Sequence, residues 1–251
     1  MTVIAKVSAI LEAFTADDRG VGFAELQRRT GLAKATVHRL TAELVDARLL
    51  DRVDGKFHLS GHLFALGMRA SVERSLLEVA TPFLEDLYER THETVHLGLR
   101  EGTEVVYVAK IGGHRQAPAP SRLGGRMPLH ATAIGKALLA FAPDLVRAAV
   151  LAAPLPRLAP RTVTSAPMLR RQLDEAAETG LAFEAEESAV GIVCVGAPVL
   201  DRDDVAVAAV SVAGPATRFQ PHKHGASVKA AAAGIAATLA RRAALSSAER
   251  N

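Results

Sequence analysis

Phe23-Ala24-Glu25-Leu26-Gln27-Arg28-Arg29-Thr30-Gly31-Leu32-Ala33-Lys34-Ala35-Thr36-Val37-His38-Arg39-Leu40-Thr41 carries two helical patterns separated by one glycine. Phe23, Ala24 and Leu26 mark the inward face of a short first helix ending near Arg29. Val37, Leu40, Leu44 and Val45 form the apolar stripe of a longer helix from about Lys34 to Asp46. Gly31 supplies the backbone freedom of a tight turn between them. A short helix, a glycine turn and a longer helix with polar residues outward is the helix-turn-helix layout.

Before this stretch, residues 2–15 place Val3, Ile4, Val7, Ile10, Leu11 and Phe14 at helical spacing. On the other side, Leu49–Arg52 and Lys56–Leu59 flank Val53-Asp54-Gly55, and Asp-Gly between two such runs predicts a hairpin. Residues 1–60 thus read helix, helix, turn, helix, hairpin. Positive charge is concentrated within them: residues 28–39 hold Arg28, Arg29, Lys34 and Arg39 and no acid, while the whole of 1–60 has nine basic against eight acidic side chains. Lys34, Ala35, Thr36, His38, Arg39 and Thr41 avoid the apolar stripe and are expected to be free to meet DNA. Arg39 suits a bidentate contact to guanine, Thr36 a phosphate or thymine methyl, and Lys34 phosphate. Arg28 of the basic cluster is expected to contact DNA as well, and Arg52 and Lys56 on the hairpin wing are expected on the DNA backbone or minor groove. The same spacing also fits a small helical bundle with a solvated basic edge.

The chain has 251 residues, 49% of them hydrophobic and 23% charged, a mixture that can bury a core and argues against disorder. Aromatic residues are only 4% and Trp is absent, so the core is aliphatic. The single cysteine, Cys194, excludes an internal disulfide or a multi-cysteine zinc site and fits a reducing cytoplasm. A signal peptide and a membrane helix are not expected, since no apolar run approaches the roughly 20 residues a span needs. A formal charge of +3 says little about partners.

Residues 61–90 read as one helix broken near Ser71, or two, with a kink or restart at Pro82. Val95–Arg100 and Val105–Ile111 read as strands, and Gly112–Pro120 as a loop. Helices are expected over Thr132–Phe141, Pro143–Leu151 and, capped by Ser165 and closed by Gly180, up to Glu178. Strands follow at Leu181–Glu184, Ile192–Leu200 and Val205–Ala213, then an Ala-rich helix Ala226–Ala244 and a frayed tail. An antiparallel sheet with helices, an α+β sensor shape, is the expected second domain.

Three segments carry a family resemblance. Gly31-Leu32-Ala33-Lys34-Ala35-Thr36-Val37-His38-Arg39-Leu40 resembles the recognition segment of the IclR family of bacterial transcriptional regulators. Pro128-Leu129-His130-Ala131-Thr132-Ala133-Ile134-Gly135-Lys136-Ala137-Leu138-Leu139-Ala140 is similar to a family signature, as is Glu186-Glu187 leading to Gly191–Val199 and then Ser211-Val212-Ala213-Gly214-Pro215. The wing departs: Val45-Asp46-Ala47-Arg48 and Phe57-His58-Leu59-Ser60 stand where the family has an acidic pair with Gly and a Tyr-Arg-Leu-Gly segment.

The resemblance implies a winged helix-turn-helix domain over 1–60, a linker helix over 61–72 and a GAF-like effector-binding domain over 73–245, with a flexible tail over 246–251. It implies assembly as homodimers or homotetramers on a double-stranded DNA operator. It also implies a small organic effector, acidic in class, near the start of the helix at Thr132, with contacts mapping onto Ala133, Ile134, Glu184, Cys194, Ser211 and Ala213. Free N–H groups at such a helix start suit an anion. Glu184 stands where a shorter Asp occurs and Ala213 where a second Ser occurs, so the pocket is expected to prefer a less polar effector than a two- or three-carbon keto acid.

Several residues carry more than one reading. Cys194 is a core thiol or a pocket wall; Arg122 and Arg126 lie on a solvated loop or pair with an anionic effector. His92 and His96 have helical metal-ligand spacing, yet His96 falls in a strand, so no metal is expected, and no cofactor. Leu63, Phe64 and Leu66 on the linker are a dimer contact and lever, or are buried locally. A competing class is a hydrolase using Cys194 or a His130/Glu186 pair, but the sequence has no nucleophile elbow or phosphate loop. A sensor that uses the winged domain for protein contacts only is the other alternative.

Overall fold

Gly31 sits at φ +64° and returns its N–H to the Gln27 carbonyl, ending helix α2 (Phe23–Thr30). The left-handed backbone that glycine takes at little cost lets α3 (Lys34–Asp46) leave in a new direction. The computed structural model describes residues 1–15, 17–67, 69, 71–112 and 119–248. Backbone contacts divide the chain into Met1–Arg74 and Ser75–Asn251.

In the first unit α1 (Val3–Glu12) starts at Thr2, whose Oγ1 accepts the Ala5 N–H. Strands β1 (Leu50–Val53) and β2 (Lys56–Leu59) pair antiparallel. Asp54 and Gly55 both have positive φ, the conformation a two-residue hairpin turn requires. Ile10, Leu26, Val37, Leu40, Leu44, Leu50 and Phe57 are buried together, so one core joins all three helices to the wing. Two expected inward positions differ. Ala24 is exposed, and Val3 and Ile4 at the free end of α1 are 54% and 78% exposed because the packing begins further along at Val7 and Ile10. Helix α4 (Gly61–Gly67) leaves Phe64 exposed.

Helix α5 (Ser71–Thr91) is continuous through Pro82, so the helix does not restart there. Pro82 is itself exposed, while Val79, Ala80, Leu84 and Leu87 on either side of it are held in the core. The second unit is built on six antiparallel strands: β3 (Thr94–Glu101), β4 (Glu104–Ile111), β5 (Arg126–Pro128), β6 (Ala182–Ala185), β7 (Ile192–Leu200) and β8 (Ala206–Pro215). Their order across the sheet is β5-β4-β3-β8-β7-β6. The three-residue β5 is an addition to the expected set.

The sheet has two unlike faces, because successive strand residues point to opposite sides. Val95, Leu97, Val195, Val199, Val210 and Val212 pack against α5 and α9 (Pro221–Ala248). The other face carries α6 (Ala133–Ala140), α7 (Asp144–Ala152) and α8 (Ala166–Thr179), with Leu129, Ile134, Leu138, Leu169 and Leu173 as its core. Pro143 is the N-cap of α7 rather than its first residue, and Ser165 precedes α8 without a side-chain capping bond. Helix α9 continues to Ala248, through the first part of the segment expected to fray. Residues 113–118 of the expected loop, Met68 and Ala70 of the linker and 249–251 of the tail lie outside the described residues.

Candidate functional site

On α3, Lys34, Ala35, His38 and Arg39 are exposed and Thr36 is half-buried. Thr41 is not available as expected: it is 2% exposed and its hydroxyl donates to the Val37 carbonyl at 2.8 Å. The basic cluster is also less bare than its own window implies, because its counter-ions lie outside that window. Arg28 pairs with Glu25 at 2.6 Å, Arg29 with Asp18 and Glu25, and Arg39 with Glu43 at 2.7 Å. Hydrogen bonds from Arg28 and then Arg29 hold the Glu25 carboxyl down to about 2. Among the described residues Lys34 forms no ion pair. On the wing, Lys56 is exposed and the Arg52 guanidinium stands 5.7 Å from the centre of the Phe57 ring.

The second site lies where α6 begins, against the sheet. Register brings Glu184 of β6, Cys194 of β7 and Ala213 of β8 into one cross-strand row, and Gly196, Ser211 and His96 into the next. Both rows face α6. Gly196 has a packing role here: a Cβ on it would stand 3.0 Å from the Ala133 backbone and 3.1 Å from the Ile134 nitrogen, so only glycine lets α6 come this close. Thr132 caps α6 by accepting the Gly135 N–H at 3.0 Å. The resulting cavity is walled by Ala133, Ile134, Ile192 and Met127 and by the polar groups of Tyr107, Ser121, Glu184, Cys194 and Ser211.

Its polar groups are organised in layers. Lys136 is 1% exposed and gives its ammonium to Glu187 at 2.6 and 2.7 Å and to the Phe183 carbonyl at 3.2 Å. The Glu187 N–H, the Ser188 N–H and the Ser188 hydroxyl in turn all donate to Glu184 Oε1, at 3.1, 2.9 and 2.8 Å. Burial pushes the Glu184 carboxyl up to about 7 despite these donors. His96 bonds the Ser121 hydroxyl through Nε2 at 2.8 Å and the Ser211 hydroxyl through Nδ1 at 3.5 Å. Burial lowers that imidazole to about 3, so it is neutral at physiological pH. The Tyr107 hydroxyl and the Cys194 thiol are pushed up by burial and keep their protons.

Comparison with known proteins settles the family. The family model for the bacterial transcriptional regulator IclR C-terminal domain matches residues 68–239, and that for the IclR helix-turn-helix domain matches residues 3–54. The chain belongs to the IclR family. The HTH-type transcriptional regulator KdgR of Escherichia coli strain K12 is 34% identical over 223 residues, covering 88% of this chain and 84% of KdgR. The HTH-type transcriptional repressor AllR of Klebsiella pneumoniae is 32% identical, covering 86% of this chain and 80% of AllR. An IclR homologue from Microbacterium hydrocarbonoxydans, solved in complex with 4-hydroxybenzoate, superposes with a TM-score of 0.87 at 32% identity, over 96% of this chain and 100% of that one. The chain is thus an IclR-type, ligand-responsive transcriptional regulator, with an N-terminal DNA-binding helix-turn-helix and a C-terminal effector-binding domain of the GAF-like α+β kind. No helix among the described residues is long and apolar enough to cross a membrane.

In this IclR-family regulator the six residues marked for effector contact, Ala133, Ile134, Glu184, Cys194, Ser211 and Ala213, all line the one cavity at α6. Other residues that the sequence did not mark as contacts line it as well, among them the polar Tyr107, Ser121, Ser188 and His96. The Lys136–Glu187 pair behind it was missed too, although a lone cation in the apolar run Ala133–Ala140 is a signal of a buried ion pair. Arg126 does not reach the cavity; it pairs with Glu101 at 2.6 Å and Glu104 at 3.5 Å. Arg122 gives its guanidinium to the Ala119 and Ser121 carbonyls. The hydrolytic pair of the competing reading is not assembled: His130 Nε2 meets the Pro156 carbonyl, while Glu186 accepts the Gly191 N–H and pairs with Arg161. His92 is exposed and His96 buried, and the described residues hold no cluster of three metal-ligating side chains.

Proposed function

We propose that α3 enters the major groove of an operator with Lys34, Ala35, Thr36, His38 and Arg39, while Arg28, Arg52 and Lys56 rest on the backbone or minor groove. Thr41 serves the fold of the domain instead. The α6 cavity takes a small organic acid through Ala133, Ile134, Glu184, Cys194, Ser211 and Ala213, in the cytoplasm where the operator is. The observation that carries this reading is that residues from three neighbouring strands converge on the first turn of one short helix, whose Ala133 and Ile134 N–H groups lie ahead of the Thr132 cap bond. The 4-hydroxybenzoate bound by the Microbacterium homologue, together with the aliphatic walls here, supports an aromatic or similarly apolar monocarboxylate over a short keto acid.

Effector binding acts by favouring one arrangement of sensor against reader, since a ligand with equal affinity for both would shift nothing. The regulator works as a homodimer or homotetramer, with the exposed Phe64 and Leu66 of α4 as a contact between copies. Mobility-shift titration on the DNA upstream of its own gene tests this. Affinity falls steeply as salt rises, as phosphate contacts require, and shifts on adding 4-hydroxybenzoate. Salt-independent binding, or a DNA affinity blind to a panel of monocarboxylates, defeats the reading.

A further inference from the structure

The Glu184 carboxyl is held from one side only. Three donors converge on Oε1, and among the described residues nothing donates to Oε2, although the side chain is 4% exposed and lines the cavity. Oε2 therefore has room for a further partner from the cavity side. The nearby cation is not free to serve: the three donors of Lys136 are taken by the two Glu187 oxygens and the Phe183 carbonyl.

The rest of the wall offers protons. Ala133 and Ile134 present backbone N–H groups ahead of the Thr132 cap bond. A neutral His96 has one N–H and one acceptor, so of the two serine hydroxyls it meets, one accepts from the ring and keeps its own proton to give. A cavity lined by donors fits an acceptor, and a carboxylate is the strongest small one. An ionised Glu184 would repel that anion; a protonated Glu184 would add one more donor to the set.

We propose, resting on the effector reading above, that Glu184 is the specificity-determining acid of the pocket: its neutral form donates the Oε2 proton to the effector's carboxylate, so that binding takes up one proton. The regulator thereby reads the acid more strongly as pH falls, and distinguishes a carboxylate from its uncharged amide by pH dependence alone.

The surrounding groups leave this titration to Glu184. From α6, Lys136 is neutralised by Glu187 of the β6–β7 turn. From β7 and β4, Cys194 and Tyr107 stay protonated, and from β3 His96 stays neutral. The β8 neighbours Ser211 and Ala213 carry no charge, and α8 turns Leu169, Leu173 and Ala176 inward. His130, beyond the Lys136 pair, is held below its ordinary value by burial.

The test is calorimetric titration of the full chain with 4-hydroxybenzoate and with 4-hydroxybenzamide, at pH 6 and pH 8, in buffers of differing ionisation enthalpy. For the acid, affinity at pH 8 is about tenfold weaker than at pH 6 and close to one proton is taken up at pH 8, as linkage with a group titrating near 7 requires. The amide shows no such slope, and E184Q, checked for folding by circular dichroism, removes both slope and proton uptake for the acid. Binding of the acid with no proton uptake, an equal slope for the amide, or an undiminished slope in E184Q overturns the proposal and leaves the effector reading standing. Failure of both ligands to bind at either pH overturns the two together.

Discussion

Lys136 Nζ lies 2.6 and 2.7 Å from the two carboxylate oxygens of Glu187, with both side chains closed off from solvent. The pair does more than neutralise itself. Glu187 also donates its N–H to Glu184 and its carbonyl accepts the buried Thr162 hydroxyl, so one ion pair fixes the turn that orients the pocket acid.

Lys136→Met leaves Glu187 buried without a counter-charge, and removing one partner of such a pair costs about 3–5 kcal/mol. Urea denaturation of the variant shows that loss. The double change K136M/E187L recovers much of it, since an apolar pair of similar size replaces two buried charges; a double variant as unstable as the single one contradicts the account.

Glu184 makes stability depend on pH in a defined sense. Its folded value of about 7 lies above the ordinary 4.5, so its contribution is complete below about 4.5 and is lost as pH rises through about 7. The loss is about 3 kcal/mol if the whole shift is expressed. Melting of E184Q against the parent between pH 5 and 8 reads it: the parent falls with rising pH more than the variant does. Glu93, also raised by burial, contributes with the same sign in both proteins and cancels in the comparison.

Gly196→Ala puts a methyl group 3.0 Å from the Ala133 carbonyl. The first turn of α6 must retreat, at a cost of about 1–3 kcal/mol as in other overpacked cores. Monocarboxylate binding weakens more than stability does, which ligand-dependent thermal shifts compare directly.

If α3 reads the operator as proposed, Arg39→Ala costs about 1–3 kcal/mol of operator affinity and relaxes base preference, while Lys34→Ala weakens all sequences alike and reduces the salt slope by about one. Thr41→Val behaves differently. It removes a buried hydroxyl that bonds Val37 and lowers the melting temperature, with base preference unchanged. Competition binding against scrambled duplexes separates the three.

Much of this was legible in the chain because the signals are local. The stripe Val37-Leu40-Leu44 and the Asp54-Gly55 turn each specify one conformation within a few residues, and both stand as read. Thr41 was misplaced although it lies four residues after Val37 and three before Leu44, which helical arithmetic puts on the buried face. The counter-ions of the basic cluster are not legible locally, because Asp18, Glu25 and Glu43 lie outside residues 28–39 and approach through folding and helix pitch. Strand β5 has three residues and exists only through pairing with β4, so nothing in its own composition announces it. The six pocket positions came from family likeness; the bonds of His96 with Ser121 and Ser211 join residues 25 and 115 positions apart, beyond any local pattern.

The two-faced sheet has a consequence for how such a detector diversifies. Alternate positions of β7 and β8 divide between the two faces: Val195 and Val212 belong to the core under α5 and α9, while Cys194, Ser211 and Ala213 line the cavity at α6. On the effector reading proposed above, descendants of this chain can exchange one set for a new vocabulary of metabolites while inheriting the other intact. A single-residue insertion in either strand would swap the two roles at once, silencing the sensor and unseating the scaffold together.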